Sequence, residues 1–189
     1  YYVFHMFKSI YYYIDKFDKD EIYKLDKSIN IIYRNYSNKF DANEILDLVD
    51  LCKKQKRKVY ISNNLKSALK FNFDGVYISS FNKILKYKNI KKKNFDIVGS
   101  AHNVREVINK ELQGCTKIFL SPIFKTKKNR NHLGIMRFNI IKLNTKKDVI
   151  ALGGIKKENI KYLKMCNIKG FASISWIKKN GPSINTGPF

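Results

Sequence analysis

Eight short runs of β-branched and aromatic residues alternate with longer amphipathic or polar stretches, and this alternation constrains the chain more than any other feature. The runs cover residues 11–14, 29–34, 58–62, 75–79, 95–100, 117–121, 148–152 and 170–175. Several are almost continuously apolar, as strands of a parallel sheet covered on both faces should be. Between them the spacing predicts helices. The clearest covers 42–56, with Ile45, Leu46, Leu48, Val49 and Cys52 on one face and Asp41 placed to cap its first turn. Others are predicted over 64–71, 103–112 and 156–165. Eight strands joined by seven crossovers imply a (β/α)8 TIM barrel, with a doubly wound sheet as the alternative.

The 189 residues are few for that barrel, which usually needs about 200 or more. The shortage falls at the end. After Ile177 come two Gly-Pro pairs and no amphipathic period, so the eighth helix is expected to be reduced or missing. One domain is expected over 1–189, with its barrel core at about 11–177. The aromatic N-terminal residues Tyr1, Tyr2, Phe4 and Phe7 are expected to cover the flank left bare.

Composition narrows the function classes. Apolar residues make up 44% of the chain, which supports a packed core, and no apolar run approaches the ~20 residues of a membrane span. Cys52, Cys115 and Cys166 lie far apart without a CxxC pair, which fits buried thiols in a reducing, cytoplasmic setting. The net charge of +23 would suit a nucleic-acid partner. Yet the lysines are spread along the whole chain, beside abundant Asn, Ile, Tyr and Phe, as an AT-rich coding sequence would produce. A dedicated nucleic-acid face is therefore not expected, whereas the positive field favours small anionic substrates. Self-association into a homo-oligomer stays open at this point.

In such barrels the chemistry belongs at the C-terminal ends of the strands. Those ends carry Asp15, Arg34, Asn63, Asn64, Ser79, Ser80, Ser100, His102 and Ser121, then Thr126, Lys127 and Lys128 in the following loop, and Gly153, Gly154, Ser173 and Ser175. This set is rich in donors and cations and poor in carboxylates, so neither a paired-carboxylate mechanism nor a metal cage is expected. Gly153 and Gly154 are expected to turn into a helix and let its N–H groups approach a phosphate. Arg34 could fork onto phosphate oxygens or lie along the rim. His102 reads either as a proton carrier or as a structural histidine. The basic segment 125–130 reads either as a lid or as a solvated loop.

Seven pieces in register resemble the thiamine phosphate synthase and thiazole tautomerase family. They are Ile32-Tyr33-Arg34, Tyr60-Ile61-Ser62-Asn63-Asn64 with Ala68-Leu69, Asp74-Gly75-Val76-Tyr77-Ile78, Val98-Gly99-Ser100-Ala101-His102, Leu120-Ser121-Pro122-Ile123-Phe124 with Thr126, Ala151-Leu152-Gly153-Gly154-Ile155, and Ala172-Ser173-Ile174-Ser175. The resemblance implies a (β/α)8 barrel and a transferase of thiamine biosynthesis. Such an enzyme joins a pyrimidine diphosphate to a thiazole phosphate and releases diphosphate. It implies that Arg34, Asn63, Ser100 and Thr126 hold the diphosphate and that Lys127 or Lys128 assists the leaving group. Gly154 and the backbone at Ile174-Ser175 would hold the thiazole phosphate. Where the synthase pattern has Asn-Asp, this chain has Asn63-Asn64. Where it has His-x-Gly-Gln-Glu-Asp, the chain has Tyr77-Ile78-Ser79-Ser80-Phe81-Asn82, and a lysine two residues after Arg34 is Tyr36. Mg2+ is thus implied as a cofactor but weakened, with Asn64 and Asn82 at the carboxylate positions. The alternatives implied are a tautomerase-like isomerase using His102 and a non-catalytic barrel that binds phosphorylated ligands.

Overall fold

The computed structural model describes residues 7–35, 41–90, 92–127 and 131–180. Eight parallel strands form a closed barrel in sequence order: β1 (Ser9–Ile14), β2 (Ile29–Tyr33), β3 (Val59–Ser62), β4 (Gly75–Ile78), β5 (Asp96–Ala101), β6 (Lys117–Leu120), β7 (Asp148–Leu152) and β8 (Gly170–Ser173). The seam is the parallel pairing of β8 with β1, from Ser9 opposite Gly170 to Tyr12 opposite Ser173. That closure rules out the doubly wound sheet.

Side-chain alternation along each strand divides the core in two. Tyr11, Tyr13, Ile32, Tyr60, Tyr77, Val98, Phe119, Ile150 and Ala172 point inward and fill the barrel. Their rings meet edge to face: Tyr11 with Phe119 at 4.8 Å, Tyr13 with Tyr77 at 5.5 Å, and Tyr77 with Phe119 at 5.5 Å. The intervening residues, such as Ile10, Ile31, Ile61, Val76 and Leu120, point outward into the layer shared with the helices.

The helices are α1 (Lys19–Lys24), α2 (Ala42–Lys54), α3 (Leu65–Lys70), α4 (Val104–Leu112), α5 (Gly134–Lys142) and α6 (Ser175–Asn180). Asp41 caps α2 as its sequence predicts, accepting from the backbone N–H groups of Asn43 and Glu44. Ile45, Leu48, Val49 and Cys52 are buried, but Leu46 lies on the solvent side at 46% exposure. Two helices escape the periodicity. α1 has six residues and a single buried one, Ile22, and α5 is apolar on more than one face, with Phe138 buried and Ile140 and Leu143 exposed. The helix expected over 156–165 is reduced to a 3-10 turn at Ile160–Met165, and another 3-10 turn spans Leu85–Asn89. The eighth helix is present but reduced, and it begins at Ser175, which therefore heads α6 instead of ending β8. Of the N-terminal aromatics, Phe7 packs edge-on against Phe171 at 5.4 Å, while Tyr1, Tyr2 and Phe4 lie outside the described residues.

The lower rim is a stability face. Asp96 accepts from Lys58 Nζ at 2.9 Å and from the Tyr60 hydroxyl at 2.9 Å, with Lys117 Nζ at 3.4 Å. Burial alone would raise the Asp96 pKa, but these partners hold it below the usual carboxylate value. Arg57 is buried and donates to the carbonyls of Leu25 and Ile29, tying α1 and β2 together.

Two predictions follow from this packing. A Cβ added at Gly170 would lie 1.7 Å from the Ser9 carbonyl oxygen, so the seam would have to part. Gly170→Ala should lower unfolding free energy by about 3 kcal/mol in urea titration. Alkaline pH should destabilise as well. Burial pushes Cys52 and Cys115 up to about 12 and Cys166 up to about 11, from 9.0. Above pH 9 the unfolded chain releases protons that the folded chain keeps, so each thiol removes about 1.4 kcal/mol per pH unit until its folded pKa is reached. Lys110, pushed down by burial to about 8 from 10.5, acts in the opposite sense between those values and offsets one of the three. Stability measured at pH 9 and pH 11 should fall.

Candidate functional site

Inward-pointing positions two residues beyond the aromatic layer form the floor of the upper rim. They are Asp15, Arg34, Ser62, Ser79, Ser100 and Ser121 with Leu152 and Ile174, one step above Tyr13, Ile32, Tyr60, Tyr77, Val98, Phe119, Ile150 and Ala172. Four serines thus stand at the upper ends of four consecutive strands, β3 to β6. Ser100 and Ser121 are buried, at 5% and 6% exposure.

Over the β2–β4 side of this floor lies a cleft of about 340 Å³, lined by Arg34, Asn35, Ser62, Asn63, Asn64, Leu65, Lys66, Ser79, Phe81 and Lys86. It brings three cations together with hydroxyl and amide groups, and no carboxylate is among the lining residues. Arg34 is positioned by Asp15, whose Oδ1 accepts from Nε and faces Nη2, each at 3.2 Å, and its guanidinium sits 4.8 Å over the Tyr13 ring. The Arg is therefore aimed by a carboxylate at its back and an aromatic ring beneath it.

Asn63 is the hub of the opposite wall. It holds a left-handed backbone conformation, φ 55°, which an asparagine tolerates. Its Nδ2 donates to Ser79 Oγ at 2.8 Å, and its Oδ1 accepts from Ser79 N at 3.0 Å and from Asn82 Nδ2 at 3.1 Å. Asn82 Nδ2 also donates to the Tyr87 hydroxyl, and Asn82 Oδ1 accepts from Ile84 N. Asn64 caps α3, accepting from Ser67 N at 2.9 Å. These contacts decide the fit of Mg2+. The amide oxygens of Asn63, Asn64 and Asn82 are already accepting backbone or amide N–H groups. Among the described residues no three His, Cys, Asp or Glu side chains cluster. A hard divalent ion prefers carboxylates, so this donor set would hold it only weakly.

A second group stands on the β4–β6 side. His102 Nδ1 lies 2.7 Å from the Ser121 carbonyl oxygen and Nε2 lies 3.1 Å from Ser80 Oγ. A carbonyl can only accept, so Nδ1 carries a proton towards Ser121, and Nε2 faces the Ser80 hydroxyl. The His102 backbone N–H donates to Glu106 Oε2 at 2.8 Å.

The glycine pair corrects an expectation. Gly153 and Gly154 have φ 95° and 70°, but the turn does not enter a helix, since the next helical turn begins at Ile160. The pair packs against the loop after β6 instead. A Cβ at Gly154 would lie 2.4 Å from the Phe124 carbonyl oxygen, and Phe124 N donates to Gly153 O at 3.1 Å. Thr126 is half-buried and Lys127 exposed in that loop. Lys128 and Tyr36 lie outside the described residues.

Of the residues singled out in the sequence, the cleft unites Arg34, Asn63 and Asn64. Ser100 and His102 lie further round the rim, with Thr126, Lys127, Gly153, Gly154 and Ile174 beyond them towards β7 and β8. Lys66, Lys86 and Phe81 had escaped notice. Lys66 sits in the first turn of α3, and Lys86 in a 3-10 turn without periodicity, so neither carried a signal.

A closed parallel barrel of eight strands with a cationic cleft above them places the chain among the TIM-barrel proteins. The comparisons make this specific. The family model described as thiamine monophosphate synthase matches residues 24–177, and the chain belongs to that family. Two relatives called thiamine-phosphate synthase, from two strains of Prochlorococcus marinus, are 34% identical over 71% of this chain and 40% of the relative, and 30% identical over 78% and 44%. The chain spans less than half the length of these relatives. A solved thiamine phosphate pyrophosphorylase from Pyrococcus furiosus shares the fold, with TM-score 0.75 and 19% identity over 90% of this chain and 87% of that one. The matches favour the synthase branch over the tautomerase branch.

One consequence concerns the turn. Because a Cβ at Gly154 meets backbone and not a flexible side chain, Gly154→Ala should displace the loop at 121–127. It should also lower the melting temperature by several degrees, on the order of 1–3 kcal/mol. A variant melting like the parent would show that the turn has room to spare.

Proposed function

We propose that the barrel catalyses thiamine phosphate formation from a hydroxymethylpyrimidine diphosphate and a thiazole phosphate. The observation that carries this reading is the cleft with Arg34, Lys66 and Lys86 and no lining carboxylate, on the rim of a thiamine monophosphate synthase barrel. The thiazole nitrogen supplies its lone pair to the pyrimidine methylene carbon, the C–O bond to diphosphate breaks, and that electron pair leaves on diphosphate. The residues' task is to stabilise the charge growing on the departing group and to hold two substrates in attack geometry.

Arg34 and Asn63 bind the diphosphate, with Ser100 on the floor and Thr126 approaching from the loop after β6. Lys127 or Lys128, which follow Thr126 in the sequence, assists the leaving group. On the other side, Gly153, Gly154 and the backbone at Ile174-Ser175 accommodate the thiazole phosphate. Asn64 and Asn82 stand where the family pattern has acids, and both are committed to other bonds, so a weakened Mg2+ dependence is part of the proposal. His102 links Ser80 to Ser121 further round the rim. The three cysteines are free and buried, which supports a reducing, cytoplasmic setting.

The test is product formation from the two substrates, with and without Mg2+. Thiamine phosphate is expected in both, with modest stimulation by the metal. Arg34→Ala should lower kcat/KM on the order of 100-fold. An absence of product in either buffer would remove the synthase reading.

A further inference from the structure

Lys110 is fully buried yet carries an ammonium, and neither the sequence pattern nor the proposed chemistry assigns it a task. It projects from α4, and its stem passes β5 where Gly99 leaves space. A Cβ on Gly99 would lie 2.7 Å from Lys110 Cδ. The ammonium emerges behind the loop that follows β4. There it donates to the carbonyls of Ser79 and Asn82 and to Gln113 Oε1, each at 2.8 Å. All three donors of the ammonium are thereby used, which is how a buried cation is tolerated. Gln113, also fully buried, reinforces the same loop by donating through Nε2 to the carbonyls of Asn82 and Ile84 at 2.9 Å.

Of the residues whose carbonyls are held this way, Ser79 lines the cleft beside Asn63, and Asn82 backs that wall. Ser79 meets both ends of the Asn63 amide, and Asn82 donates to Asn63 Oδ1. The loop carries no carboxylate through which a divalent ion could organise it, since residues 79–84 are Ser, Ser, Phe, Asn, Lys and Ile. Charge-assisted bonds to backbone carbonyls do that work from behind.

We propose that Lys110 is the positioning residue of the cleft: its ammonium fixes the Ser79–Asn82 turn by its backbone, so that the Asn63–Ser79–Asn82 wall is set for a diphosphate group without a divalent cation. This rests on the reading of the cleft as a diphosphate site.

The experiment uses the full chain and inorganic diphosphate, titrated calorimetrically in EDTA. The parent protein binds. Lys110→Met, which keeps the stem and removes the charge, binds about tenfold more weakly, equivalent to ~1.4 kcal/mol. Its affinity for thiazole phosphate stays unchanged, and amide hydrogen exchange accelerates at 79–84 but not at 153–155. Lys110→Arg, which keeps the charge, regains most of the affinity. A folded Lys110→Met with the parent's diphosphate affinity overturns the proposal, even if exchange at 79–84 accelerates. If Lys110→Met does not melt cooperatively, Lys110→Arg decides, and a folded Arg variant about tenfold weaker than the parent overturns it. Absence of diphosphate binding by the parent overturns the reading of the cleft itself.

Discussion

Closure of the barrel is the constraint on which everything else depends. β8 pairs with β1 only because Gly170 offers no side chain where the Ser9 carbonyl approaches. Once the ring is closed, the interior has a fixed size, and this chain fills it with tyrosines and a phenylalanine packed edge to face. Closure also fixes parity. The residue two places beyond each interior side chain must point into the upper rim, which is why four serines and Arg34 arrive there together although they are scattered along the sequence.

The site then divides by how its charges are supported. Arg34 lines the cleft and is aimed from behind by Asp15 and Tyr13. Lys110 is buried and spends its charge on backbone carbonyls. The amides between them are held in one arrangement by reciprocal bonds centred on Asn63. A cleft lined by cations and amides keeps a positive balance, and the chain's net charge of +23 adds a long-range field of the same sign.

Much of the fold was legible because parallel strands buried on both faces leave continuous apolar runs, and all eight appear where those runs fall. The boundaries shift where a rim residue reads as strand by composition but lies one place past the strand's end, as Arg34, Ser79 and Ser121 do. α5 was invisible because apolar residues occur on both its faces. In the site, Arg34 and Asn63 stood out as polar residues directly after apolar runs. Lys66, Lys86, Lys110 and Gln113 did not, since in a chain so rich in lysine nothing marks one as buried or cleft-lining.

The sequence by itself determined the strand-by-strand order, the barrel and the scarcity of carboxylates at the rim, because these follow from local period, spacing and residue type; its motif pieces carried the resemblance to the family. Only the tertiary structure decided which amides are already spent, that Asn64 caps a helix, and that His102 bridges Ser80 and Ser121. It alone showed that Gly154 is confined by the Phe124 and Lys125 carbonyls and that Lys110 reaches under the β4 loop. Each of these depends on contacts between segments far apart in the chain, whose distances are set by closure of the barrel and not by any property of the residues taken in order.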